Sequence, residues 1–461
     1  MAEAFDSVND ARRWAIADVN VIDLESGEVL PDRAIVIQSG VIEAVAPLDS
    51  IDPDSLDLLV SADGGYAIPG LWDMHVHLRG GPELIRANER WLPQYLGFGV
   101  TSVRDAGGDL PDSVLHWKAE VEAGFLVGPR IYSALRKIDG VGDSQPGALP
   151  VASRTDIDSA LDYLMLAGAD FVKVYDGSLP RDLYLLTVRE AGVRGMKTSA
   201  HIPPWVPFED IVDAGLDSVE HSIYLAEAAD PENRRIAHSL APDDTSAYVE
   251  YYRAIREAGA RADDKTFQRA VDLMLRRGTA VVSTLTIDRQ ILAYLDDQPT
   301  ANPRRRQTPE SILESHEEML DLLTDLADQI TEDQRMIVRR SESLLKAASD
   351  DGVTILAGTD TGVNNALLYP GDSLHAELEA LVEIGISPLE ALKAATIYPA
   401  RWLDVYPVFG SISEGAAADI VVLESNPLED ITNTRSVAAV VQQGVYYDAG
   451  ELERLKQLEL R

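Results

Sequence analysis

Leu71-Trp-Asp-Met-His75-Val-His77 is an apolar strand that closes with two histidines at i and i+2. Side chains alternate along a strand, so both imidazoles leave the same face. Seven further stretches repeat the apolar strand pattern, at residues 100–104, 130–134, 171–175, 197–201, 218–221, 280–284 and 354–358. Amphipathic helical stretches fall between most of them, as at 156–167, 179–191, 208–214 and 267–276. Strands alternating with helices are the signature of repeated βα units. Eight parallel strands with crossover helices close into a (β/α)8 TIM barrel, expected here over residues 67–407. An open doubly wound sheet is the alternative architecture.

The two chain ends read differently. Residues 14–22, 34–38 and 41–46 are rich in Val and Ile and are separated by Gly turns, and 418–423 and 437–441 repeat the pattern. Neither end carries enough strands to stand alone. The ends are therefore expected to meet as one small β-sandwich domain, built from residues 1–66 plus 408–461. Two long connections, 225–266 and 287–350, carry helical patterns after the sixth and seventh strands. In a barrel such loops lie on the catalytic face, so they either roof a site or serve as peripheral packing and oligomer contacts.

Composition narrows the function. The 461 residues include 77 Asp and Glu against 40 Lys and Arg, a formal net charge of −37. So acidic a surface repels phosphate backbones and anionic lipid, which argues against nucleic acid and membrane partners and suits a salty habitat or simple solubility. Hydrophobic residues make up 46%, enough for a large core. The chain has no cysteine, which excludes disulfides, thiolate nucleophiles and Cys-ligated metal. No apolar run reaches the roughly 18 residues that span a bilayer. The first residues show no basic segment followed by an apolar one, so no signal peptide is read and a cytoplasmic location is expected.

The chemistry gathers at the strand ends. His75 and His77 close the first strand, His201 the fifth and His221 the sixth, while Asp360 follows the eighth in Ala357-Gly-Thr-Asp-Thr-Gly362. Barrel enzymes keep their chemistry at this end of the strands, and neutral imidazole is the usual nitrogen ligand for zinc-like ions. Lys173 lies mid-strand in Phe171-Val-Lys-Val-Tyr175. An ammonium inside a barrel is costly and would repel metal ions. Carboxylation by CO2 removes the conflict, giving a carbamate that bridges two cations; a solvated, edge-facing lysine is the plainer account.

These residues resemble the amidohydrolase superfamily with a binuclear metal centre. Ala67-Ile-Pro-Gly-Leu71, Gly99-Val-Thr-Ser-Val-Arg-Asp105, Glu220-His221, Pro388-Leu-Glu-Ala-Leu-Lys-Ala-Ala-Thr396 and Gly415-Ala-Ala-Ala-Asp419 are similar to the imidazolonepropionase-like and prolidase-like (Xaa-Pro dipeptidase-like) branch. The resemblance implies one divalent ion on His75, His77, Lys173 and Asp360, and a second on Lys173, His201 and His221, with Zn2+ the best match to the donors. It implies a hydrolase of amide-type C–N bonds in small molecules such as N-acyl amino acids or dipeptides, in which metal-bound hydroxide attacks and Asp360 shuttles the proton. Ring opening of a cyclic amide is the runner-up, and a non-catalytic metal-binding barrel is the reading of another class. A homo-oligomer is expected.

Weaker signals surround this set. Arg79, in the His75-x-His77-x-Arg79 run seen in dihydroorotases, either binds a substrate carboxylate or is a solvated loop residue. Tyr224 either donates to an oxyanion or carboxylate, or packs. Tyr175 shares the inward face with Lys173. His375 is expected to cap its helix or to support the site, and His116, His238 and His316 to lie on the surface. Arg304-Arg-Arg306 is expected as a solvated loop, and 451–461 as an exposed charged helix. Peptidase-like relatives often carry Gly-Gly-His after the third strand, whereas Leu135-Arg-Lys-Ile-Asp-Gly-Val-Gly142 has no histidine.

Overall fold

The computed structural model describes residues 12–142, 146–242, 248–296, 310–362, 365 and 367–457. Eight parallel strands occupy the expected places. In chain order they are Leu71–His77, Val100–Asp105, Arg130–Ser133, Val172–Val174, Thr198–Ala200, Ser218–Glu220, Ala280–Val282 and Ile355–Leu356. The first three pair in one sheet and the last five in a second, each in sequential order. Backbone hydrogen bonds bridge the two sheets at both edges: Asp170 N donates to Ser133 O at 2.9 Å, and Met74 N to Ala357 O at 2.9 Å. A doubly wound sheet would reverse its strand order at a switch point, and this order does not. The arrangement is TIM barrel-like.

Most of these strands are buried along their whole length; Leu71–His77, Val172–Val174 and Ser218–Glu220 are buried at every residue. Helices start and stop where local chemistry dictates. Ser153 accepts from Asp156 N to open Arg154–Ala167, and Gly168, at φ 82°, closes it in a left-handed turn.

Strands from both ends of the chain share one eight-stranded sheet. Tyr66–Pro69 joins them, pairing antiparallel with Ile420–Leu423 just before the first parallel strand begins. Trp14, Ile16, Val19, Ile35, Ile420 and Val441 pack together as its core.

The two long connections are helical. Leu225–Ala229, Asn233–Ala237 and Tyr248–Arg261 follow the sixth strand, and Leu285–Leu295 and the 41-residue Glu310–Asp350 follow the seventh. The long helix packs on Tyr248–Arg261, on Leu285–Leu295 and on the turn Ser222–Tyr224 at the end of the sixth strand. Arg304-Arg-Arg306 lies outside the described residues. Among those described, no helix is long and apolar enough to cross a membrane.

Three expectations need correction. His316 is buried, not superficial, because the inward face of the long helix carries it; His116 and His238 are exposed. His375 neither caps its helix nor supports the histidine cluster. Its Nδ1 pairs with Thr434 Oγ1 at 3.0 Å and its Nε2 with Phe98 O at 3.0 Å, which ties three distant segments together. The C-terminal helix, Ala449–Lys456, is not free in solvent: Leu452 is buried where the helix packs on Ile85–Gly97. Residues 458–461 lie outside the described residues.

Candidate metal centre

Four histidines reach the mouth of the parallel strands, and each has one ring nitrogen occupied. His75 Nδ1 pairs with the Glu220 carboxylate, and His77 Nδ1 with Gly107 O at 3.3 Å. His201 Nδ1 pairs with Asp176 Oδ1 at 3.0 Å, and His221 Nδ1 with Thr284 Oγ1 at 2.9 Å. All four Nε2 atoms are thereby turned toward one another. The His75 and His77 Nε2 atoms lie 3.3 Å apart, and those of His201 and His221 3.0 Å apart. Holding a ligand histidine by its remote nitrogen is how proteins fix its tautomer and aim.

Asp360 joins this cluster. Its Oδ1 lies 3.0 Å from His77 Nε2 and 3.5 Å from His75 Nε2. Its backbone is left-handed at φ 63°, as are His221 at φ 69° and Thr284 at φ 44°. Non-glycine residues pay for that conformation, and such strain clusters at functional sites. Burial pushes the Asp360 carboxyl up, but the hydrogen bond to His77 and the neighbouring imidazoles outweigh it and hold the group below the usual carboxylate range. Burial lowers all four histidines, which keeps them neutral and ready as ligands.

Lys173 sits among them, fully buried, with its Nζ sealed and without a hydrogen-bond partner. Burial, aided by Arg104 and opposed by Glu220, brings it down to about 8. The edge-facing, solvated account of this lysine fails. Donor atoms of His75, His77 and Asp360 lie within 4.8 Å of one another, as do those of His75, His201 and His221. The neutral imidazoles and the ionised Asp360 are donors suited to divalent metal.

Several supporting residues escaped the sequence reading. Glu220 is fully buried and accepts from Arg104 Nη2 at 2.6 Å, Ser199 Oγ at 2.7 Å and Ser218 Oγ at 2.8 Å, besides its contact with His75. Arg104 is fully buried too, its guanidinium carbon 5.0 Å from the Phe171 ring centroid and 4.7 Å from that of Trp402. The adjacent charges Arg104 and Asp105 at the end of the Val100-Thr-Ser-Val-Arg-Asp105 strand were the available signal. Asp176 is the second such residue, bonding both His201 and, at 3.0 Å, the Tyr224 hydroxyl. Tyr224 is thus brought to the site. Tyr175 lies with its ring centroid 4.4 Å from that of His201. Arg79 is half-buried and is the strongest cation acting on the Tyr175 hydroxyl.

Known proteins are similar to this one along most of the chain. The amidohydrolase family model matches residues 66–446. Ochratoxinase of Aspergillus niger is 28% identical over 434 residues, covering 88% of this chain and 80% of that protein. Imidazolonepropionase of Haloarcula marismortui is 22% identical over 404 residues, covering 86% of this chain and 84% of that protein. A crystal structure of an Xaa-Pro dipeptidase with bound methionine superposes with a TM-score of 0.68 at 20% identity, over 95% of this chain and 100% of the other. A match that runs through every parallel strand and into the terminal sheet makes this chain a member of the amidohydrolase family, and so a hydrolase rather than a non-catalytic barrel.

Proposed function

We propose that the protein is a binuclear metal-dependent hydrolase that cleaves the amide C–N bond of a small N-acyl amino acid or dipeptide. His75, His77, Lys173 and Asp360 would hold one cation and Lys173, His201 and His221 the other, Lys173 as its CO2-derived carbamate and the cations as zinc. Such a pair, when bound, acidifies water and polarises a carbonyl. The observation that carries the proposal is the convergence of four Nε2 atoms and Asp360 around a buried lysine amine that has no partner. The same reading closes the eight parallel strands into one (β/α)8 barrel and gives the chain ends a composite β-sandwich.

The chain's own groups then have separate tasks. Asp360, ionised and beside the histidines, accepts the proton of the attacking water and returns it to the leaving nitrogen. Tyr224, oriented by Asp176, offers its hydroxyl to the substrate. Arg79 offers a guanidinium fork to a carboxylate. Ring opening of a cyclic amide is the second reading, favoured by the place of Arg79 two residues beyond His77.

A mass-spectrometric screen of zinc-loaded protein against dipeptides, N-acyl amino acids and cyclic amides separates the two. Two fragments from one substrate are expected. A single product heavier by one water would replace linear cleavage with ring opening. Asp360→Asn should abolish turnover of whichever substrate is found, and a wild-type rate in that variant would remove its proton-transfer role.

A further inference from the structure

Among the described residues, neither Lys137 nor Arg79, two cations that act on one another near the histidine cluster, has a carboxylate within ion-pair distance. Lys137 follows the third parallel strand and is 1% exposed. Burial is the largest influence on its amine, and the strongest charges acting on it are two more cations, Arg79 and then Lys173; together they bring it down to about 7. Arg79 has a buried Nε with no partner. The opposite charges acting most strongly on Lys137 are Asp139 and Asp109. Both Asp109 oxygens and one Asp139 oxygen are taken by backbone donors, while Asp139 Oδ2 is buried with no hydrogen-bond partner among the described residues. Asp109 accepts from Gly80 N at 2.9 Å and Gly81 N at 3.0 Å, and Asp139 Oδ1 from Gly140 N at 2.7 Å and Ser178 N at 2.9 Å.

An unpaired buried cation is costly, and a second one beside it costs more. This chain has 77 acidic residues against 40 basic ones, so carboxylates were plentiful had pairing been the purpose. The place of Lys137 relative to the reaction is fixed by Tyr175, whose ring lies 4.5 Å from Lys137 Nζ and 4.4 Å, centroid to centroid, from the His201 ring. The cation pair therefore sits one aromatic ring away from a metal-ligating histidine.

We propose that Lys137 acts with Arg79 as a clamp for the free carboxylate of the substrate, which makes the enzyme selective for N-acyl amino acids over their neutral carboxamides. This rests on the hydrolase reading above and adds Lys137 and the requirement for an acid. The planar guanidinium supplies directed hydrogen bonds, and the ammonium, on a separate loop, a point charge.

The test compares N-methylsulfonyl-leucine, which has no acyl carbon to attack, with its carboxamide. Calorimetry on zinc-loaded protein should show the acid binding at least about tenfold more tightly, equivalent to about 1.4 kcal/mol. Lys137→Met, close in length and uncharged, should remove most of that preference. It should raise KM for the hydrolysed N-acyl amino acid about tenfold, leave kcat within about twofold, and retain metal content and melting temperature. Equal affinity of wild-type protein for acid and carboxamide would overturn the clamp without any variant. So would a preference that survives Lys137→Met. Acid-selective binding without turnover of any N-acyl amino acid would instead remove the hydrolase reading and leave the clamp standing.

Discussion

At His75 the fate of one ring nitrogen decides the aim of the other. Glu220 takes Nδ1, and Arg104, Ser199 and Ser218 hold Glu220 in place. Glu220→Gln keeps the shape but loses the charge that orients the ring. Metal affinity should fall about 10–100-fold, measured by competition with a chelator. Stability should fall by about 3 kcal/mol, because Arg104 keeps its buried charge without a counterion. Unchanged affinity would show that His75 needs no such support. For Lys173→Ala, metal content by plasma emission should drop to one ion or none per chain, with partial recovery in added acetate or propionate. Full occupancy in that variant would exclude a lysine-derived bridge. The proposed ligands could be picked out in the sequence because His-x-His and the other strand-end groups obey the two-residue alternation of a strand. Glu220, Arg104 and Asp176 could not, because their partners sit on other strands. Register, such as Ser199 opposite Ser218, brings those partners together, and no local pattern records it.

Among the elements, the parallel strands were legible because each is a short apolar run between amphipathic helices. The insertions were legible only as helical. Which face of Glu310–Asp350 turns inward depends on what it meets, so His316 was misplaced. That helix meets Leu285–Leu295 at a buried carboxyl: Asp288 is 5% exposed and accepts from Gln334 Nε2 at 3.3 Å. Burial raises it to about 7, with Glu377, Asp360 and Glu342 adding to the rise and the Gln334 bond opposing it. The unfolded chain loses this proton near pH 4 and the folded chain only near pH 7. The folded state therefore binds the extra proton in that window, and stability falls as pH rises through it. Asp288→Asn keeps the amide contact and removes the charge. Its melting temperature should match wild type near pH 4.5 and exceed it at pH 8, by on the order of 2 kcal/mol of stability. Parallel melting curves for the two proteins would mean that the long helix does not seal this carboxyl.

Over the whole molecule, charge is the dominant long-range quantity. Ion pairs are numerous on the surface, as in Arg194 with Asp158, Asp162 and Glu190, yet 40 basic residues cannot balance 77 acidic ones. Exposed pairs contribute about 0–1 kcal/mol each and weaken with salt. The 37 uncompensated negative charges repel one another across the surface, and that repulsion weakens with salt as well. The two effects have opposite signs, and the imbalance decides in favour of repulsion. Potassium chloride should therefore stabilise the fold, raising the melting temperature by on the order of 5 °C between 0.05 and 1 M. The shape of the curve identifies the cause. The screening length is about 10 Å at 0.1 M and about 3 Å at 1 M, so most of the rise should fall below about 0.3 M. A steady rise to high concentration would point to exclusion of salt from apolar surface, and a fall would show that the ion pairs outweigh the repulsion.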